Sequence, residues 1–189
     1  MKLNELKRLV MQQALEKGFG VRPREVNVPE KILLIASEVE EAEFFEREHA
    51  ELCDAISPLD IKWKTNPRLS ENTRQRLFHL RGEYEKEMGD ILQRTLHLGG
   101  IFGYSFINPR LTRDDKSCSD SMYAAVMQIY GHYRKKRMPE FKQGLVGFAY
   151  YCTQVAEGSF DIYRTVLRKI EDNRCRVWKK SRLNEKLVG

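Results

Sequence analysis

The sequence predicts an all-α fold, an antiparallel helical bundle with additional helices. Three observations point to it. Every segment with periodic apolar residues repeats at spacings of three and four, the period of a helix face. No run alternates apolar and polar residues as a half-buried strand does. Glycine and proline fall mostly between the periodic segments, where they punctuate helices.

Leu3, Leu6, Leu9, Val10 and Ala14 predict a first helix over residues 3–17, ended by Gly18 and Gly20. Residues 21–29 form a connector with Pro23 and Pro29, and proline is tolerated where the next helix starts. That helix covers residues 31–56, KILLIASEVEEAEFFEREHAELCDAI, and Ser57-Pro58 breaks it. Residues 59–68 are polar and irregular, with Pro67 and an isolated Trp63. Ser70 suits the N-cap of a long helix over 71–98, closed by Gly99-Gly100. Residues 101–119 read as a loop, first aromatic and then charged. Helices follow over 122–137 and over 140–156, the second opened by Pro139 and ended by Gly158. The last helix runs from about Phe160 to Trp178, and the tail KKSRLNEKLVG is polar.

With 189 residues, 41% hydrophobic and 32% charged, the chain can form one globular domain with a real core, and a single domain over 1–189 is expected. No apolar run approaches the roughly 20 residues of a membrane span. The opening MKLNELKRLVMQQALEKGFG lacks the continuous apolar centre of a secretory signal. Cys53, Cys118, Cys152 and Cys175 are scattered, with no CxxC pair. That argues against a zinc knuckle and fits a reducing, cytoplasmic setting. The net charge of +6 is uneven: the basic excess lies over Arg164–Lys186 and Arg134–Arg137, and the first half carries the acid. Such asymmetry suits a chain that holds a cation with one part and a phosphate with another, and it equally suits a nucleic-acid binder.

In the second helix, Leu34, Glu38, Glu41 and Phe45 share a stripe, so two carboxylates are threaded into an apolar seam. A buried carboxylate is costly, so such a pair needs a cation nearby or access to water. In the long helix the stripe is Leu80, Tyr84, Glu87, Ile91 and Leu98, again interrupted by a glutamate, and Asp90 reaches the same point. Gly89 lies between the two acids; a mid-helix glycine costs roughly 1 kcal/mol against alanine, which predicts close packing there. Spacing alone does not single out these acids, since Glu40/Glu43, Glu43/Glu46, Glu48/Glu51 and Glu51/Asp54 are also three apart. The stripes choose among them. Glu40 and Glu43 point away, and Glu51 and Asp54 lie off the stripe of Phe45, His49, Leu52 and Ile56. Glu48 is left at the edge of the site. Two helices, each with an inward carboxylate pair, can surround a hard divalent cation such as Mg²⁺ with oxygens. In the last helix, Ile162, Val166, Lys169, Asn173, Arg176 and Lys180 share one face, which turns from apolar to basic and amide groups. These can donate to phosphate oxygens and to a base or sugar. A solvated basic face near a helix C-terminus is the plainer alternative.

Glu38-x-x-Glu41, Glu87-x-x-Asp90 in EMGD, and Lys169-x-x-x-Asn173-x-x-Arg176 occur in that order. Together they resemble the MazG-type all-α nucleoside triphosphate pyrophosphohydrolases, the superfamily that includes the dimeric deoxyuridine triphosphatases. ILLIASEVEEAEFF resembles the first metal helix of that family, EMGDILQRTLHLGG the second, and KIEDNRCR the substrate-binding helix. The resemblance implies a MazG-like four-helix core, with Mg²⁺ (Mn²⁺ as a substitute) held by Glu38, Glu41, Glu87 and Asp90. It implies water attack on a triphosphate, releasing nucleoside monophosphate and pyrophosphate, with Lys169, Asn173 and Arg176 on the nucleotide. It also implies a homodimer or higher homo-oligomer and no requirement for nucleic acid. The chain departs from the family in three ways. Ser37 stands where another glutamate is common, residues 57–70 look like an inserted loop, and the helices over 120–157 look like an addition. For the chemistry, a glutamate linked to the metal can take the proton of the attacking water; Glu38 is the first candidate and Glu41 the second. Trp63 or Tyr104 could stack on a base, although ordinary packing is the commoner role for either.

Two rival readings follow from the same residues. A ferritin-like di-iron bundle requires Glu-x-x-His on two helices; Glu46-x-x-His49 is one match, and His79, His97 and His132 have no glutamate three before them. A non-enzymatic module binding nucleic acid or protein would use the two basic clusters, but it leaves Glu38, Glu41, Glu87 and Asp90 without a role.

Overall fold

A computed structural model describes residues 2–56, 70–107 and 122–175. They form six α-helices packed as a bundle: α1 (Leu3–Glu16), α2 (Val28–Ile56), α3 (Glu71–Ile101), α4 (Met122–Arg134), α5 (Met138–Ala156) and α6 (Ile162–Cys175). One short 3₁₀ turn, Pro23–Glu25, lies in the first connector, and there is no strand among the described residues. The breaker Ser57-Pro58, nearly all of the expected 57–70 insertion, Trp63, Arg176 and the polar tail lie outside the described residues.

The first helix buries Leu3, Leu6, Val10, Gln13 and Ala14. It ends as expected at Gly18, whose φ of 73° is the left-handed conformation that glycine adopts without strain. Phe19 N–H donates to Ala14 O at 2.8 Å and Gly18 N–H to Leu15 O at 3.1 Å, closing the helix in a Schellman motif.

The long helices α2 and α3 run antiparallel, as two cross-pairs show: Arg94 meets Glu38 and Arg76 meets Glu48. Ser70 is the expected N-cap of α3, its Oγ accepting from Thr73 N–H at 3.2 Å. The closing of α3 differs from expectation. Gly99 and Gly100 lie inside the helix, and the left-handed residue that follows it is Gly103, with φ 68°. A Cβ on Gly99 would stand 2.5 Å from the Phe106 ring, and one on Gly100 2.3 Å from Met11 Sδ. Both glycines therefore serve close approach rather than termination.

Helix α3 is the centre of the bundle, with α1, α2, α5 and α6 packed around it. That position buries six consecutive residues, Glu87 to Leu92, two of them acids. The expected stripe on α3 is buried throughout. On α2 the core line is Val28, Ile32, Ile35, Ala36, Val39 and Ala42. The Leu34–Phe45 stripe lies beside that line, at the edge of the core.

The hairpin of α4 and α5 shares the same core. Phe141, Leu145 and Cys152 are fully buried in one apolar cluster with Ile32, Met88 and Val166. Helix α4 ends at Arg134, three residues earlier than the pattern suggested, and Lys136 takes a positive φ of 56° in the turn. Tyr104 packs in this region, stacked on Phe102 with ring centroids 5.4 Å apart.

Helix α6 is capped by Asp161, whose carboxylate accepts from Arg164 N–H at 3.1 Å. It lies along α3 in the same direction: Tyr84 meets Phe160, Gly89 meets Thr165 and Asp90 meets Lys169. No helix among the described residues is long and apolar enough to cross a membrane.

Candidate functional site

The acids of α3 set the site. Glu87 is 4% exposed and Asp90 8%. Carboxylates so placed need cations or hydrogen-bond donors to remain charged. Lys86 Nζ lies 2.9 Å from Glu87 and 2.8 Å from Glu83, so one ammonium serves two carboxylates. These contacts raise the Lys86 pKa above the ordinary lysine range. Asp90 is paired with Lys169 Nζ of α6.

From α2, Glu38 reaches the same region, its side chain 12% exposed and its Oε1 2.5 Å from Arg94 Nη2. Glu41, one turn along, is exposed. Glu38, Glu41 and Glu87 each present a carboxylate oxygen, and the three atoms lie within 4.8 Å of one another. Three of the four expected ligands are therefore brought together. Asp90 is not part of that group; it pairs with Lys169, and its charge still acts on Glu38.

Burial and the neighbouring acids push the Glu38 pKa from the ordinary 4.5 up to about 7. Burial is the main cause. A hydrogen bond with the Glu87 carboxyl adds to it, the Arg94 charge opposes it, and the negative charges of Asp90 and Glu87 raise it further.

Other expected residues fall in several places. Lys169 comes to the acids. Asn173 is one turn further along α6 and partly buried, and Arg176 lies outside the described residues. Glu48 is held by Arg76 at 3.5 Å, well down the helix pair from Glu38, and does not join the site. Tyr104 is a packing residue, covered on one side by Phe102 and touching Phe141 edge-on. Glu46 is exposed, and His49 Nδ1 lies 3.7 Å from Cys53 Sγ. No histidine belongs to the carboxylate group, so the ferritin-like arrangement finds no support.

Sequence reasoning missed Arg94 and Lys86. Arg94 follows Asp90 by four residues and Glu87 by seven, so it continues their stripe; that spacing was the available signal. Gly89 is a point of close approach, as its place inside the helix predicts: a Cβ there would meet Thr165 Cγ2 at 2.6 Å. The contact brings α6 against α3 at the level where Lys169 meets Asp90.

Three carboxylate oxygens from two helices, one of them open to water, suit a hard divalent cation with remaining positions for water or phosphate. The group contains neither cysteine nor histidine, which argues against zinc or a soft metal. No family model matches the chain, and no curated protein or solved structure matches it either.

Proposed function

We propose first a class: a helical-bundle protein that binds a divalent metal through carboxylates and acts on a phosphorylated substrate. Within that class we infer a Mg²⁺-dependent nucleoside triphosphate pyrophosphohydrolase of MazG type. The observation carrying this reading is the convergence of Glu38, Glu41 and Glu87, from two antiparallel helices, beside a lysine delivered by a third.

Glu38, Glu41 and Glu87 would hold Mg²⁺ or Mn²⁺, with Asp90 joining as Lys169 turns to the nucleotide. When bound, the metal offsets triphosphate charge and makes a nearby water more acidic. Glu38, with a pKa near neutrality, suits the role of accepting that water's proton. Lys169 and Asn173 lie successively along α6 and can donate to phosphate and to the sugar or base. In line with the family resemblance, the working form is a homodimer or higher homo-oligomer, a point that light scattering tests directly.

The decisive experiment is a panel of nucleoside tri- and diphosphates with Mg²⁺ or Mn²⁺, reading pyrophosphate against orthophosphate. Release of monophosphate and pyrophosphate, lost in Glu41→Gln, supports the reading. Orthophosphate as the product, or no turnover of any nucleotide, rejects it.

A further inference from the structure

The antiparallel pairing of α2 and α3 gathers positive charge at one end of the carboxylate group. Lys31 precedes Glu38 by seven residues and Arg94 follows Glu87 by seven. On antiparallel helices both shifts lead toward the same end, each about 10 Å along the axis. The two cations are close enough for the Arg94 charge to act on Lys31, and both charges act on His97. The Lys31 side chain is half-buried and makes no hydrogen bond or ion pair among the described residues; the Arg94 charge disfavours its ammonium and the charge of neighbouring Glu30 partly offsets that. His97 adds no third charge. Burial and the two cations depress its pKa to about 4, and the neutral ring donates from Nε2 to Gly20 O at 3.1 Å.

Arg94 is committed to Glu38 while that carboxylate is without a metal. A divalent cation on Glu38 would take over its neutralisation and leave the guanidinium fork available to an anion. Lys31 also lies near the amino-terminal end of the 29-residue α2, where the helix dipole favours negative charge. Burial and the Arg94 charge together disfavour the Lys31 ammonium more than Glu30 favours it, and a bound anion would relieve both.

We propose that Lys31 and Arg94 form an oxyanion subsite that takes a phosphate of the polyphosphate whose metal the neighbouring carboxylates hold. The proposal rests on the metal-site reading above for the metal, but not on turnover. Arg94 alternates between two partners: Glu38 in the metal-free chain, and phosphate once the metal is in place. Lys31 faces the phosphate throughout.

Calorimetric titration of the full chain with inorganic pyrophosphate, in saturating Mn²⁺, tests this. Lys31→Gln should weaken pyrophosphate binding at least fivefold, leave Mn²⁺ affinity unchanged, and be rescued in large part by Lys31→Arg. Lys135→Gln, which removes an exposed charge elsewhere, should change nothing. Equal losses in Lys31→Gln and Lys135→Gln, or no loss in Lys31→Gln, overturn the subsite. Lys31-dependent pyrophosphate binding without hydrolysis of any nucleotide keeps the subsite and removes the enzyme. Nucleotide hydrolysis with an unaltered KM in Lys31→Gln does the reverse. If Lys31→Gln does not fold, loss of pyrophosphate binding in Arg94→Lys at constant Mn²⁺ affinity supports the subsite, and unchanged binding overturns it.

Discussion

Gly89 of α3 and Thr165 of α6 are in contact so close that a Cβ on the glycine would stand 2.6 Å from Thr165 Cγ2. With threonine at position 165, a hydrogen at position 89 lets α6 lie against α3 near the Lys169–Asp90 pair without a clash. Gly89→Ala is therefore expected to destabilise the fold by about 1–3 kcal/mol through overpacking, despite alanine's better helix propensity. Thr165→Ser removes the clashing methyl and keeps the hydroxyl that bonds Asp161 O. Chemical denaturation should show the double variant Gly89→Ala/Thr165→Ser recovering most of the loss. An additive double variant would mean that the two side chains do not meet.

Lys169 and Asp90 form a pair whose side chains are 18% and 10% exposed. Removing one partner leaves the other charge largely buried. Lys169→Met should cost about 2–4 kcal/mol, and Lys169→Met/Asp90→Asn should cost less than that single change, as for partly buried pairs elsewhere. Urea unfolding measures both. If the double variant is no more stable than Lys169→Met, the pair does not bear on stability.

The proposed metal site has one exposed carboxylate and two more enclosed ones, and the two kinds should respond differently to substitution. Glu41→Gln changes an exposed side chain and should leave the melting temperature within a degree or two, since surface changes rarely exceed about 0.5 kcal/mol. It should nonetheless lower Mn²⁺ affinity at least tenfold, read by electron paramagnetic resonance. Glu38→Gln and Asp90→Asn should abolish turnover with helicity intact by circular dichroism. Full turnover in both would remove the catalytic assignment.

The raised pKa of Glu38 predicts a pH dependence. Its pKa is 4.5 in an unfolded chain and about 7 in the folded one. Between these values the folded protein keeps a proton that the unfolded chain has released. Stability of the metal-free protein should therefore fall as pH rises from about 4.5 to 7 and level off above, by the order of 2 kcal/mol once water access to the partly open site is allowed for. Thermal unfolding at pH 5, 6, 7 and 8 should show this slope, reduced in Glu38→Gln. Saturating Mg²⁺ should restore more stability at pH 8 than at pH 5. Equal slopes in the parent and Glu38→Gln would locate the effect elsewhere.

Much of the site was legible because helix faces are local. Glu87 sits where the stripe from Leu80 to Leu98 put it, since the 3.6-residue period alone decides which side chains share a face. Ser70, Gly18 and Gly89 were equally readable, each from one residue's own conformational or steric preference. The Gly99-Gly100 pair misled for the opposite reason. A glycine that ends a helix and one that admits a neighbour look alike until Met11 and Phe106 are placed.

By itself the sequence determined six helices, their faces and the inward placing of Glu87 and Asp90, because hydrophobic period and capping act over one or two turns. The tertiary structure alone decided which acids converge and which cations oppose them. Arg94 meets Glu38 only through the antiparallel register of α2 and α3, and Lys169 takes Asp90 only because α6 lies along α3. The edge position of the Leu34–Phe45 stripe likewise depends on where α3 and α4 pack on α2. These relations join residues far apart in the chain, and no local period encodes the register between two helices.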